Sequence, residues 1–396
     1  MLRFLTAGES HGPSLSVIVE GLPAGLPITA DRIAAQLARR RLGYGRGPRM
    51  RVERDELRLT GGVRHGRTLG SPIAVEVLNS EWPKWEQEMS AAPGTPQNRL
   101  TAPRPGHADL VGMQKYSFDD ARDVLERASA RETAARVVAG TLARELLATL
   151  GVSIVSHVVR IGGASVPDGV RPGPLDQDRV DASEVRCLDA TSEAAMIAQI
   201  KAAAKAGDSL GGVAEVVAYG VPVGLGSYVQ WDRKLDGLLA GALMSIPAVK
   251  AVEIGDGFAQ AAQRGSVAHD AIALDPSHPS AGGFARRSDH AGGLEGGVSS
   301  GAPIVVRAAM KPLATLNRPV LETVDLATGE STTSFRERTD VTAVPAMGVV
   351  AEAMVALTLA GEALRKFGGD SLEEFRRNHA AYVDHLGSTA SRSIPE

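Results

Sequence analysis

The chain has 396 residues, 43% hydrophobic and 22% charged, with a net charge of −3 and one cysteine, Cys187. That length fits one large domain or two ordinary ones, and a single cysteine excludes an intramolecular disulfide and a cysteine-rich metal site. With no run read as reaching the roughly 18 to 20 apolar residues of a bilayer span and no apolar stretch after Met1-Leu2-Arg3-Phe4-Leu5 of the signal-peptide kind, the expected location is a reducing cytoplasm, away from membranes.

In chain order, Gly8-Glu9-Ser10-His11-Gly12-Pro13 reads as a loop. It leads into residues 14–20, Ser-Leu-Ser-Val-Ile-Val-Glu, which alternate as a half-buried strand does. An arginine-rich helix over 30–42 is predicted to begin at Thr29. Residues 39–54 then carry Arg39, Arg40, Arg41, Arg46, Arg49, Arg51 and Arg54 against one acid, Glu53. Arginine in place of lysine favours bidentate binding of phosphate or carboxylate; the alternative is a solvated basic face. Gly43, Gly45, Gly47 and Pro48 among these arginines argue for a shaped loop.

Strands are predicted at 56–60 and 71–78, and 81–106 is a long proline-rich loop of the kind that is functional or disordered. Helical periodicity runs from Asp119 to Leu150, with Gly151 as its stop, which puts Arg127 and Arg131 on one face. Strands at 152–161 and 211–219, a helix at 232–244 and a strand at 249–254 follow. Residues 282–301 hold seven glycines with Arg286, Arg287, Asp289, His290 and Glu295. Bare N–H groups beside two arginines suggest close approach to an anion, although neither the phosphate-loop nor the dinucleotide pattern fits. A strand at 303–307, the segment Lys311-Pro312-Leu313-Ala314-Thr315 and a small-residue helix at 349–367 ended by Gly368-Gly369 complete the pattern. The mixture predicts an α+β chain, one large domain with helices on sheets.

His11 and His107 both lie in loops framed by glycine or proline. A histidine titrates near neutrality, and one beside an anion site can protonate a leaving group. Taken singly, each is more often structural. Asp340 sits just ahead of the last apolar helix, where it either caps the segment from Val341 or acts as a positioned base. No His-Glu-x-x-His is present. Aromatics are 4% of the chain, with only Tyr44 among the arginines, which serves nucleic-acid stacking poorly.

Five motifs carry a resemblance when taken in order: Gly-Glu-Ser-His-Gly at 8–12, Arg-Pro-Gly-His-Ala-Asp at 104–109, Arg-Ala-Ser-Ala-Arg-Glu-Thr-Ala at 127–134, Ala-Gly-Gly-Leu-Glu-Gly-Gly at 291–297 and Arg-Thr-Asp at 338–340. Together they resemble the chorismate synthase family, over residues 1 to about 368. The resemblance implies a single-domain β-α-β sandwich of antiparallel sheets and helices over 1–368; it leaves 369–396 uncovered, a stretch whose polar composition reads as a partly disordered tail. It implies a homotetramer and a carbon–oxygen lyase of the shikimate pathway. With reduced FMN that enzyme removes phosphate from 5-enolpyruvylshikimate 3-phosphate by anti-1,4-elimination, giving chorismate.

By the same resemblance, the flavin would meet Arg127, Ala128, Ser129, Gly296, Lys311, Pro312, Leu313, Ala314, Thr315 and Arg338. It would also meet Pro247-Ala248, where relatives carry Gln-Ala or Asn-Ala; proline keeps the carbonyl but has no N–H. Arg40, Arg46, Arg49 and Arg104 would take the substrate anions, Arg40 and Arg46 also matching positions assigned to NADPH as flavin reductant. His11 would protonate the leaving phosphate, His107 would set the protonation of the reduced flavin, and Asp340 would work with flavin N5 on the C6 proton. The competing function is an NADPH-dependent flavin reductase, which the missing dinucleotide fingerprint weakens.

Overall fold

In the computed structural model, which describes residues 1–47, 55–275, 277, 281–335 and 339–392 (side chains to 387), two antiparallel sheets enclose a layer of helices. The first sheet contains β1 (Arg3–Ala7), β2 (Ser14–Glu20), β3 (Leu57–Gly61) and β4 (Ile73–Leu78) in the order β1-β2-β4-β3. Its alternation has a direct cause: Val17 pairs with Val75, so Leu15, Val17 and Val19 share a buried face with Ile73, Val75 and Val77. The second sheet contains β5 (Ser153–Ile161), β6 (Gly212–Tyr219), β7 (Val249–Ile254) and β8 (Ile304–Met310). Its order is β7-β8-β6-β5, with the two-residue strand Ala164–Ser165 on the edge.

The helices are α1 (Ala30–Arg41), α2 (Asp109–Tyr116), α3 (Arg122–Ala128), α4 (Thr133–Ala148), α5 (Ala190–Ala206), α6 (Leu235–Met244), α7 (Val344–Phe367) and α8 (Leu372–Arg392). Helix α4 packs on β2, α1 and α7, and α7 packs on β5 and β6, so helices fill the space between the sheets. This is the expected α+β sandwich. Thr29 begins α1 as predicted, its hydroxyl accepting from Arg32 N at 3.3 Å. Where α4 crosses α7, a Cβ on Gly140 would stand 2.3 Å from Ala353 Cβ, so only glycine lets the two backbones approach this closely.

Helix α7 corrects one expectation. By length and composition it is apolar enough to cross a membrane, with a mean hydropathy of 1.7 over 18 residues, but 89% of that window is buried inside the fold. It is the core helix, and it holds one deeply buried acid. Glu352 accepts from Arg39, Arg144 and Arg186 and from the backbone and hydroxyl of Ser156. Burial pushes this carboxyl upward, but Arg39, Arg144 and Arg186 outweigh it and hold the group well below the usual carboxylate range.

Two further differences concern local structure. The helical stretch 119–150 is broken at Ser129, which is extended (φ −62°, ψ 141°) and whose hydroxyl accepts from Arg131 N. Arg127 and Arg131 therefore share no helix face: Arg127 donates to Thr6 O and Gly8 O, and Arg131 to Leu78 O. Residues 372–392, read from sequence as part of a polar tail, form α8. Phe375 is fully buried, and Phe375, His379 and Tyr382 pack around Phe367.

Candidate active site

The Gly-Glu-Ser-His-Gly loop is fixed to the end of α3. Ser10 N donates to Glu126 O at 2.9 Å, and Ser10 and Ser129 hydroxyls lie 3.2 Å apart. His11 Nδ1 lies 2.9 and 3.0 Å from the two carboxylate oxygens of Glu126, and its backbone N–H donates to Oε2 at 2.8 Å. The imidazole stacks on Trp85, centroids 4.0 Å apart. The long loop 81–106 thus contributes a wall to the first predicted histidine. Arg127 holds the other end of the loop through Gly8 O at 3.0 Å.

Next to Ser129 lies Arg40. Its Nε donates to Thr133 Oγ1 and its Nη2 to Ala130 O, both at 3.0 Å, and the residue is 6% exposed. Among the described residues no carboxylate lies within 4.0 Å of its guanidinium. Burial first, then the nearby charge of Arg46, lower its pKa from 12.5 to about 10. Arg46 Nε stands 3.2 Å from Asp340 Oδ2, buried and without a hydrogen-bond partner, and Asp340 Oδ1 accepts from Gly47 N at 2.7 Å. Asp340 is therefore no cap for the segment after it: its carboxylate turns to the arginine loop, and Thr342 Oγ1 takes Val344 N instead. Arg40, Arg46 and Asp340 form one cluster.

A second cluster joins two other motifs. Arg104 donates to Asp109 Oδ2 from Nε at 2.8 Å and from its backbone N at 3.1 Å, and to Thr315 Oγ1 at 2.8 Å. Asp109 is fully buried and also bonds His107 Nδ1. Burial would raise its pKa, yet the bonds from His107 and Arg104 prevail and hold it below the usual carboxylate range. Asp109 is then ionised and can only accept, so the His107 proton sits on Nδ1. Lys311 Nζ bonds Gly106 O, and Lys311 N donates to Ala248 O at 3.0 Å. Pro247 and Ala248 occupy the centre of a turn closed by Val249 N to Ile246 O, with Ala248 at φ +67°. Proline at the first central position and positive φ at the second are the pattern of a type II turn, which leaves no use for the missing N–H.

The two clusters are tied together by residues 209 and 210. Ser209 Oγ donates to Leu313 O and Leu210 N to Val341 O, both at 2.8 Å. From the other side Glu132 accepts from Thr6 Oγ1 and from Arg136, which also reaches Ser245, two residues before Pro247.

The glycine-rich segment departs from expectation. Gly296 and Gly297 form the turn of the hairpin Leu294–Glu295/Val298–Ser299, and the atom nearest a Cβ at Gly296 is Tyr228 Cβ at 3.9 Å. No contact among the described residues joins Gly296 to either cluster. Arg286 is neutralised by Glu295 at 2.6 Å, and Gly292 faces Gly255 so closely that a Cβ would lie 2.5 Å from its nitrogen. Gly292 and Gly293 serve backbone-on-backbone packing. His290 pairs with Asp256 at 2.6 Å, apart from the other two histidines. Arg49 and Arg338 lie outside the described residues. Sequence reasoning missed Glu126, Trp85 and the role of Asp109; only Asp109, two residues from His107, carried a local signal.

The family's sequence profile, chorismate synthase, matches residues 2–364. The chain belongs to the chorismate synthase family. Proteins named chorismate synthase from Salinispora tropica and Thermobifida fusca are each 60% identical to it, over 98% of this chain and 99% of theirs. A crystal structure of chorismate synthase superposes with a TM-score of 0.79 at 39% identity, covering 98% of both chains. The chain is thus an enzyme of the carbon–oxygen lyase type acting in the shikimate pathway. Asp340 lies in the first cluster and His107 in the second, while His11 sits on the loop held by Glu126 and Ser129.

Proposed function

We propose that this enzyme binds reduced FMN and, in an anti-1,4 sense, eliminates phosphate from 5-enolpyruvylshikimate 3-phosphate to give chorismate. The observation that carries this reading is Arg40: a buried guanidinium with no described carboxylate in contact, beside a second cation, Arg46, whose Nε is paired with Asp340. A buried cation is stable only when compensated, and a substrate with one phosphate and two carboxylates supplies the missing charge. Arg46, Arg104 and Arg49 complete the anion-binding set, which also suits NADPH as flavin reductant.

The residues at hand fit FMN. Gly106 has φ +79°, and a Cβ there would touch Lys311 Nζ at 3.4 Å and Ala314 Cβ at 3.9 Å. That is a cradle left open beside a cation and the Thr315 hydroxyl. Arg127–Ala128–Ser129, Pro247–Ala248 and Lys311–Thr315 would hold the cofactor, with Gly296 and Arg338 as further contacts. When bound, reduced FMN supplies electron density as phosphate leaves and regains it as the hydrogen departs, without net redox change.

The chain's own groups handle protons and charge. His11 protonates the departing phosphate, Asp340 receives the C6 proton, and His107, oriented by Asp109, holds a proton beside the cofactor. Leu5 and Ile18, paired across β1 and β2 and 69% and 46% exposed, support association into a homotetramer. The lone, buried Cys187 suits a reducing cytoplasm. His11→Ala, His107→Ala and Asp340→Asn, each assayed with FMN bound, should each lose about 10²-fold or more in turnover. Near-full turnover in all three would refute these roles.

A further inference from the structure

We propose that Glu126 is a positioning residue that fixes the tautomer of His11, so that protons enter and leave this ring through Nε2 alone. The inference rests on the reading of His11 as the acid that protonates the leaving phosphate. Nothing in the five motifs points to Glu126; from sequence it reads as a surface acid beside Arg127.

Its side chain is instead 2% exposed and meets His11 three times, twice at Nδ1 and once at the backbone N–H. Arg122 Nη1 donates to it at 3.1 Å. Burial would raise the carboxyl's pKa, but its bonds to His11 and then the charge of Arg122 hold it below its ordinary value. An ionised carboxylate has no proton to give, so His11 Nδ1 must bear one. The ring nitrogen bonded to a fixed acceptor decides the tautomer, and the other exchanges protons.

The ring plane is held as well. Trp85 stacks on it at 4.0 Å, and Arg122 lies over the Trp85 ring at 5.1 Å while Arg122 Nε stands 3.8 Å from Glu88. One arginine therefore links the acceptor, the stacking partner and the long loop. In the reaction the C–O bond to phosphate breaks with its electron pair on the phosphate oxygen. That oxygen takes the Nε2 proton, and the imidazolium returns to the neutral ring with Nδ1–H still donating to Glu126. The opposite tautomer would turn a bare Nδ1 lone pair on a carboxylate, which the buried setting penalises.

Two measurements test this. ¹⁵N NMR of wild-type protein labelled at histidine, with His11→Asn for assignment, should show the neutral His11 ring protonated at Nδ1; a bare Nδ1 with Nε2–H overturns the proposal. In turnover assays Glu126→Gln should lower kcat about 10- to 100-fold with KM within about threefold. Added to His11→Ala it should cost nothing more, because Glu126 acts through that ring. An equal loss in both backgrounds overturns the proposal. If His11→Ala alone leaves turnover intact, the acid role of His11 fails, and the NMR result still decides the tautomer.

Discussion

Replacing Arg40 by methionine separates anion binding from folding. Burial and the neighbouring Arg46 lower the Arg40 pKa from 12.5 to about 10, which disfavours the charged form by roughly 3 kcal/mol. The folded protein holds this proton less tightly than the unfolded chain does. The penalty is therefore complete at every pH below about 10 and fades only as the pH rises through that value towards 12.5. Methionine removes the penalty while filling most of the volume. It also removes the charged-donor bonds to Thr133 Oγ1 and Ala130 O, together worth about 3 to 6 kcal/mol. The net change in stability is then between zero and about 3 kcal/mol against the variant. Binding moves the same way: a lost charged hydrogen bond weakens the substrate by about 1.5 to 3 kcal/mol, or roughly 10- to 100-fold. Urea unfolding of the ligand-free protein at pH 7, with substrate titration by calorimetry, reads both quantities. A variant with unchanged substrate affinity would refute the reasoning, since Arg40 would then be a structural residue.

Three other outcomes follow from the packing. Glu352→Gln strands the guanidinium groups of Arg39, Arg144 and Arg186, with an expected loss of about 3 to 5 kcal/mol in the urea midpoint. Because the Glu352 carboxyl is held below its ordinary value, its stabilisation is present above the usual carboxylate range and is lost as the pH falls below it. The variant's stability should therefore fall less on acidification than that of the parent. Gly140→Val, at the α4–α7 crossing, should destabilise by about 1 to 3 kcal/mol through overpacking, seen as a lower Tm. Phe375→Ala should loosen α8 from Phe367 at about 3 to 5 kcal/mol, seen as faster amide exchange confined to residues 372–392.

Much of the fold was legible because burial imposes a period. Strand β2 alternates since one face meets α4 and the core, with β4 beside it in the same sheet. The break at Ser129 was not legible, since Ala-Ser-Ala is compatible with a continuing helix. What interrupts it is tertiary: Ser129 faces Ser10, and Ala130 O takes Arg40. Helix α8 was hidden because its apolar residues are few and spaced along a polar sequence, and only Phe367 reveals their common face.

The site divided the same way. Motif residues named His11, His107 and Asp340, but the partner of His11, Glu126, lies 115 residues away, a distance that no periodicity spans. Conversely the glycine-rich segment stood out in sequence for composition alone, and its charge is balanced locally by Arg286 and Glu295.

The central claim is tested most directly by mixing the protein anaerobically with reduced FMN and 5-enolpyruvylshikimate 3-phosphate. Released phosphate and chorismate absorbance should rise together in equal amounts, with the flavin still reduced at the end. Folded protein that releases no phosphate under these conditions, or that oxidises one flavin for each product formed, would contradict the account.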